Sequence, residues 1–221
     1  MEITQLLACF GLIFIFYFVV PQQLVRPCNL DDYKCFGDNF AANSQCSRSV
    51  QGSIPNAYKI KQFKFETPYF NATYIDNDLV IRNHDRCFVS EFFFNVPSDT
   101  SLITIECPGL VFESNRTLIQ HYTKKEDTIY SYLISATYPL VSLTINFQHS
   151  NKIDLCSSFA FADVAALPKF NLVPNNKPTK NFLSYDLSYL YIYERETFFY
   201  RANQLARKFI NSKICNFGCD A

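Results

Sequence analysis

Residues 130–149, YSYLISATYPLVSLTINFQH, decide the fold class. Tyr130, Tyr132, Ile134, Ala136 and Tyr138 alternate with Ser131, Leu133, Ser135 and Thr137. Beyond Pro139 the alternation is strict, with Val141, Leu143, Ile145 and Phe147 set against Ser142, Thr144, Asn146 and Gln148. A period of two is that of a strand with one buried face, so both halves read as long strands. A sheet with one apolar face must cover it with a second sheet, a helix or a ligand.

Working upstream, strand patterns bounded by Pro, Asn, Asp or Gly occupy 58–66, 79–82, 88–94, 101–106 and 110–113. The first of them follows the turn Gly52-Ser53-Ile54-Pro55 and places Lys59, Lys61 and Lys64 outward. Gln62 breaks the phase between Tyr58 and Ile60 on one side and Phe63 and Phe65 on the other, which predicts a bulge or bend there. Before that turn, Phe36, Phe40, Cys46 and Val50 recur near helical spacing, and Gly52 and Pro55 end a short helix. Downstream of a proline-marked linker at 171–180, Leu183, Leu187, Leu190, Phe198, Ala202, Leu205 and Phe209 recur in steps of three and four or their sums. This predicts one helix over 184–210, with Ser184 as its N-cap, lying along a curved sheet.

Composition bounds the function. The 221 residues carry 20 basic and 20 acidic side chains, so no global field recruits DNA, RNA or an anionic membrane. Five glycines argue against a mononucleotide-binding loop, while 23 Phe and 14 Tyr with no Trp give many large apolar side chains. Residues 6–20, LLACFGLIFIFYFVV, form an uncharged apolar run stopped by Pro21. A run of that length is the core of a signal peptide rather than a span, which predicts a leader at 1–22, a mature domain at 23–221 and a secreted, extracellular protein without stable membrane association after cleavage.

Setting aside Cys9 within that run, Cys28, Cys35, Cys46, Cys87, Cys107, Cys156, Cys215 and Cys219 remain. An even number in an oxidising compartment reads as up to four disulfides, and the short spacing pairs Cys28 with Cys35. No Cys-x-x-Cys pair occurs and His84, His121 and His149 are scattered, so neither metal nor cofactor is expected. Asn71-Ala72-Thr73 and Asn115-Arg116-Thr117 are glycosylation sequons.

Catalytic signatures are missing. There is no Gly-x-Ser-x-Gly elbow and no His-Glu-x-x-His. Asp76-Asn77-Asp78 opens like a calcium loop but lacks later ligands and reads as a turn. His84, beside Asp85, is the best general-base candidate, yet a polar surface turn fits it better in the absence of a nucleophile motif. The expectation is a protein without enzymatic activity.

The order of features resembles the insect takeout and juvenile hormone-binding protein family. The matching residues are Pro27-Cys28 through Cys35, Gly52-Ser53-Ile54-Pro55, Thr67-Pro68, Cys156-Ser157-Ser158 through Leu167-Pro168-Lys169, and the long C-terminal helix. The resemblance implies an α+β fold in which that helix is wrapped by a highly curved antiparallel sheet enclosing an apolar channel in one elongated domain. It implies a carrier, as in hemolymph, of a hydrophobic small molecule such as a juvenile hormone-like terpenoid or a fatty acid. Against the family pattern, no cysteine lies inside the expected helix, which leaves Cys156 to pair with Cys215 or Cys219. From the alternation, the channel lining would be Phe63, Phe65, Tyr130, Tyr132, Ile134, Tyr138, Val141, Leu143, Ile145 and Phe147. The alternative is a disulfide-stapled extracellular interaction protein with a filled core and a receptor or other protein partner.

Overall fold

The computed structural model describes residues 27–67, 70–95, 98–184 and 187–219, with backbone alone at 187–191 and 193–196. The expected leader at 1–22 lies outside the described residues. Three helices, α1 (Tyr33–Ala42), α2 (Lys177–Ser184) and α3 (Leu187–Lys213), accompany seven strands: β1 (Ala57–Thr67), β2 (Ala72–Arg82), β3 (Phe88–Asn95), β4 (Thr100–Gln120), β5 (Thr128–Gln148), β6 (Ala160–Val164) and β7 (Lys169–Pro174).

The strands form one antiparallel sheet in the order β1-β2-β4-β5-β6, with β3 added to β4 and β7 added to β5. It is open, not closed around the helix. Its spine is the ladder between β4 and β5, each 21 residues long, running from Thr100–Gln148 to Gln120–Thr128. The segments expected as separate strands at 101–106 and 110–113 are thus parts of β4. Their interruption at Pro108-Gly109 is a crease. Gly109 has φ of +64°, it faces Pro139 across the ladder, and this one pair is missing from an otherwise constant register.

On both strands the buried positions change parity at the crease. Residues 101, 103, 105 and 107 face inward before it and 110, 112, 114, 116 and 118 after it on β4, while 132, 134, 136 and 138 give way to 141, 143, 145 and 147 on β5. Because both strands step together, the ladder bends and keeps the same register on either side of the missing pair. A second irregularity lies where the Gln62 phase break predicts one. The Lys61–Asp78 pair is missing between β1 and β2, Asp78 has φ of +54°, and the register of β2 on β4 shifts between Asn77 and Val80.

The helix α3 covers the inner face. Phe198, Ala202, Leu205, Ala206, Phe209 and Ile210 are buried at three- and four-residue steps, the stripe that a helix on a sheet requires. The linker expected at 171–180 is instead the end of β7 and the start of α2. The Asn176 side chain accepts from the Thr179 amide at 2.8 Å and Pro178 sits in the first turn, a cap and a helix starter in place of a breaker. Helix α1 starts at Asp32, whose carboxylate accepts from the Cys35 amide at 2.9 Å, and packs Phe36 and Phe40 against Phe92 on β3. Gly37 lets α1 approach the carbonyl of Ile214 so closely that any β-carbon would collide with it.

Candidate functional site

The interior between the sheet and α3 is where a ligand channel was expected. Of the ten candidate lining residues, Tyr130 is half-buried and the other nine are buried. Their neighbours are protein. Phe65 stacks between Tyr74 at 5.0 Å and Tyr200 at 5.4 Å, and Phe63 lies 5.6 Å from Phe65. Tyr138 meets Phe198 edge-on at 4.5 Å, and both meet Phe112. Phe147 packs on Phe40 of α1, and Tyr130 stacks on Phe182 of α2 at 4.0 Å. Tyr132, Val141, Leu143 and Ile145 belong to the same core, as does Ile134, which also borders a groove on the outer face. Among the described residues, rings and side chains of α3 pack against these candidates.

At its centre is an ionic cluster that the sequence did not announce. Asp76 lies in β2, 0% exposed, and corrects the reading of Asp76-Asn77-Asp78 as a turn. Its Oδ1 accepts from Arg116 Nε at 2.7 Å and Ser114 Oγ at 2.8 Å, and its Oδ2 accepts from an Arg201 guanidinium NH2 at 2.6 Å. Arg116 and Arg201 are 1% and 2% exposed. Arg201 also lies over Phe112 at 4.8 Å and Arg116 over Tyr74 at 5.4 Å, so the aromatic walls help to hold the cations. Burial alone would raise the Asp76 carboxyl, but the two guanidinium charges and the hydrogen bonds hold it well below the usual carboxylate range. The cluster joins the sheet to α3, with both guanidinium groups sharing the one carboxylate of Asp76.

His84 also differs from its expected surface turn. It is buried in a short 3-10 turn after β2, and its Nδ1 lies 2.8 Å from the Tyr58 hydroxyl. Its ring nitrogen and the sulfurs of Cys87 and Cys107 come within 4.8 Å of one another, but those sulfurs are bonded to each other, so the trio is not a metal site. Burial, reinforced by Lys208 and Lys213, pushes the imidazole pKa down to about 3, with Asp85 opposing. The unfolded chain binds this proton near pH 6.5 and the folded chain does not, so stability falls as pH drops below that value, by roughly 1.4 kcal/mol per pH unit. Asp76 contributes nothing to this slope, because its depressed carboxyl stays ionised in both states above about pH 4.5. Unfolding free energies from urea titrations at pH 7 and pH 5 should differ by about 2 kcal/mol for the native chain. His84→Gln should flatten the difference, and an unchanged slope would assign the acid sensitivity elsewhere.

All eight described cysteines are paired: Cys28–Cys35, Cys46–Cys215, Cys87–Cys107 and Cys156–Cys219. Of the two partners left open for Cys156, the structure uses Cys219. The sequon asparagines Asn71 and Asn115 are both exposed, the first in the turn between β1 and β2 and the second in the middle of β4.

The outer face carries open grooves rather than a buried site. One of about 410 Å³ runs over β2, β4, β5 and β7, with Val80, Asn115, Leu133 and Val173 among its walls. Another, of about 570 Å³, lies beside Phe159 and Phe161, which pack edge-to-face at 5.1 Å and are largely exposed.

With this geometry in view, the comparisons separate fold from family. Takeout 1 of Epiphyas postvittana superposes with a TM-score of 0.50 over 84% of this chain and 91% of that one, at 11% identity, which shows a takeout-like fold. Residues 24–219 match the family described as Fibroin P25. Fibrohexamerin of Galleria mellonella is 58% identical over 198 residues, covering 90% of this chain and 91% of that protein. The resemblance drawn from the cysteine loop and turn motifs is therefore borne out as a takeout-like fold with a long C-terminal helix, though the sheet is not closed around that helix, and it is corrected as to the family.

Proposed function

The chain belongs to the fibroin P25 family, and on that premise we propose that it is a secreted, disulfide-stapled interaction protein that binds fibroin chains without bond chemistry. The observation that carries this reading is the close packing of the candidate lining residues against other described side chains. The residues that alternation assigns to a ligand channel are occupied by one another, by Phe198 and Tyr200 of α3, and by the Asp76–Arg116–Arg201 cluster. With every described cysteine used internally, association with a partner is noncovalent. The four disulfides and the apolar run at 6–20 support an extracellular setting.

The takeout-like fold favours a second reading, a carrier of a terpenoid or fatty acid. One preparation tests both. The full chain, purified from a secreting insect-cell culture, is immobilised and exposed to solubilised fibroin, and its organic extract is analysed by mass spectrometry. The interaction reading expects fibroin to be retained and then released by denaturant without reductant, and no lipid at one equivalent. Absence of retention together with a stoichiometric lipid would replace it with the carrier reading.

A further inference from the structure

We propose that an N-linked glycan on Asn115 lies across the outer face of the sheet and covers the apolar groove formed there by Leu133 and Val173. The register places one row of side chains across five strands: Gln62, Asn77, Asn115, Leu133 and Val173 are consecutive cross-strand partners on β1, β2, β4, β5 and β7. The row changes character at Asn115. On one side Gln62 Nε2 donates to Asn77 Oδ1 at 2.9 Å, so those amides satisfy each other. On the other side Leu133 and Val173 are each 49% exposed, and both line the groove of about 410 Å³ that Asn115 also lines.

Leu133 and Val173 lie side by side on neighbouring strands and, with the groove, form one apolar strip directly beside Asn115. The chain supplies its own cover. Asn115-Arg116-Thr117 is a sequon, Asn115 is exposed, and its side chain has no hydrogen bond to a described residue. Asn71, by contrast, already donates its side-chain amide to the His121 carbonyl at 3.0 Å, from a backbone at φ of +48°. In the transfer, Asn115 Nδ2 bonds to the anomeric carbon of a lipid-linked oligosaccharide diphosphate, the sugar–phosphate bond breaks, and the amide proton leaves with the diphosphate.

Reach and direction then follow from the sheet. At about 4.8 Å between neighbouring strands, Leu133 is about 5 Å from Asn115 and Val173 about 10 Å, the span of the first two sugars. One face of each sugar ring presents C–H groups that pack on methyls while its hydroxyls stay in water. The inner partner of Asn115 in sequence is Arg116, buried in the cluster with Asp76, so strand alternation holds Asn115 on the outer face.

The full chain secreted from insect cells provides the test. Glycopeptide mass spectrometry should find Asn115 occupied, and nuclear Overhauser contacts should join the first sugar to the Leu133 methyls. Enzymatic removal of the glycan from the folded protein should raise the fluorescence of bound anilinonaphthalene sulfonate about twofold. Leu133→Ser with Val173→Ser should abolish that rise while leaving far-UV circular dichroism unchanged. An unoccupied Asn115, or deglycosylation that changes neither the dye signal nor the Leu133 methyl resonances, would overturn the proposal. Neither result depends on whether fibroin binds.

Discussion

Asp76→Ala should lower the stability of the folded chain by about 3 to 5 kcal/mol, the usual cost of removing one partner from a buried ionic cluster. The carboxylate receives Arg116, Arg201 and Ser114 within 2.6 to 2.8 Å, so its loss takes the shared counter-charge from two guanidinium groups that are almost wholly out of water. The penalty is mainly desolvation. The pair energy itself is partly cancelled by the cost of burying the charges, whereas removing the carboxylate keeps the burial cost of the cations and loses the attraction that offset it. Two controls separate this from a general sensitivity of β2. Asp78→Asn changes a carboxylate two residues away that is 64% exposed and paired only with Lys59, and should cost less than about 0.5 kcal/mol. Replacing all three charged residues together, as Asp76→Leu, Arg116→Met and Arg201→Met, should cost less than Asp76→Ala alone. If the triple variant were the least stable, the cluster would be a net attraction whose pairing outweighs the desolvation of its charges.

The cluster also marks where sequence reading ran out. Asp76 sits in a polar triplet whose neighbours suggest a turn, and the residues that license its burial lie 40 and 125 positions away. No local pattern encodes such a meeting. Arg116 was visible only as the middle of a sequon, a motif that concerns the outward Asn115 and is silent about the inward arginine. His84 was misjudged for the same reason. Its burial comes from packing under α3 beside Tyr58, while the surrounding polar residues at 83–86 pointed to solvent.

Where one element sufficed, the reading succeeded. Alternation around Pro139 specified the two halves of β5, and their opposite parity already contained the crease, since Tyr138 and Val141 can both face inward only if the strand steps between them. The partner half of the crease was harder to see. Pro108-Gly109 looked like a turn between short strands because both residues punctuate chains, and only the uninterrupted ladder to β5 shows that the strand continues through them. The spacing of Phe198, Ala202, Leu205 and Phe209 specified the inner stripe of α3. The order of motifs then carried the takeout-like fold, but what separates families sharing that fold resides in side chains that no short motif samples.

Loss of the Cys46–Cys215 bridge should be the most damaging single disulfide change. It spans 169 residues, and even after shortcuts through Cys87–Cys107 and Cys156–Cys219 the loop it closes remains roughly 100 residues, worth about 4 to 5 kcal/mol of unfolded-state entropy. Cys28–Cys35 closes a separation of 7, and the same relation gives it about 2 kcal/mol. Local packing sharpens the contrast. Cys46 follows α1 and Cys215 follows α3, and the bridge holds together a junction where Ser47 and Asn216 exchange backbone hydrogen bonds at 2.7 Å and Gly37 meets the Ile214 carbonyl. Without the covalent link, α1 is held by noncovalent contacts, its rings on Phe92, Phe147, Phe209 and Phe217, and the short loop at Cys28 anchors it to nothing beyond its own N-terminus. Urea titrations of Cys46→Ala with Cys215→Ala, and of Cys28→Ala with Cys35→Ala, should therefore rank in that order, with the first losing at least twice the free energy of the second. Equal losses would mean that the unfolded chain is already compact enough to make loop length irrelevant, and that the junction is held by its packing rather than by its bridge.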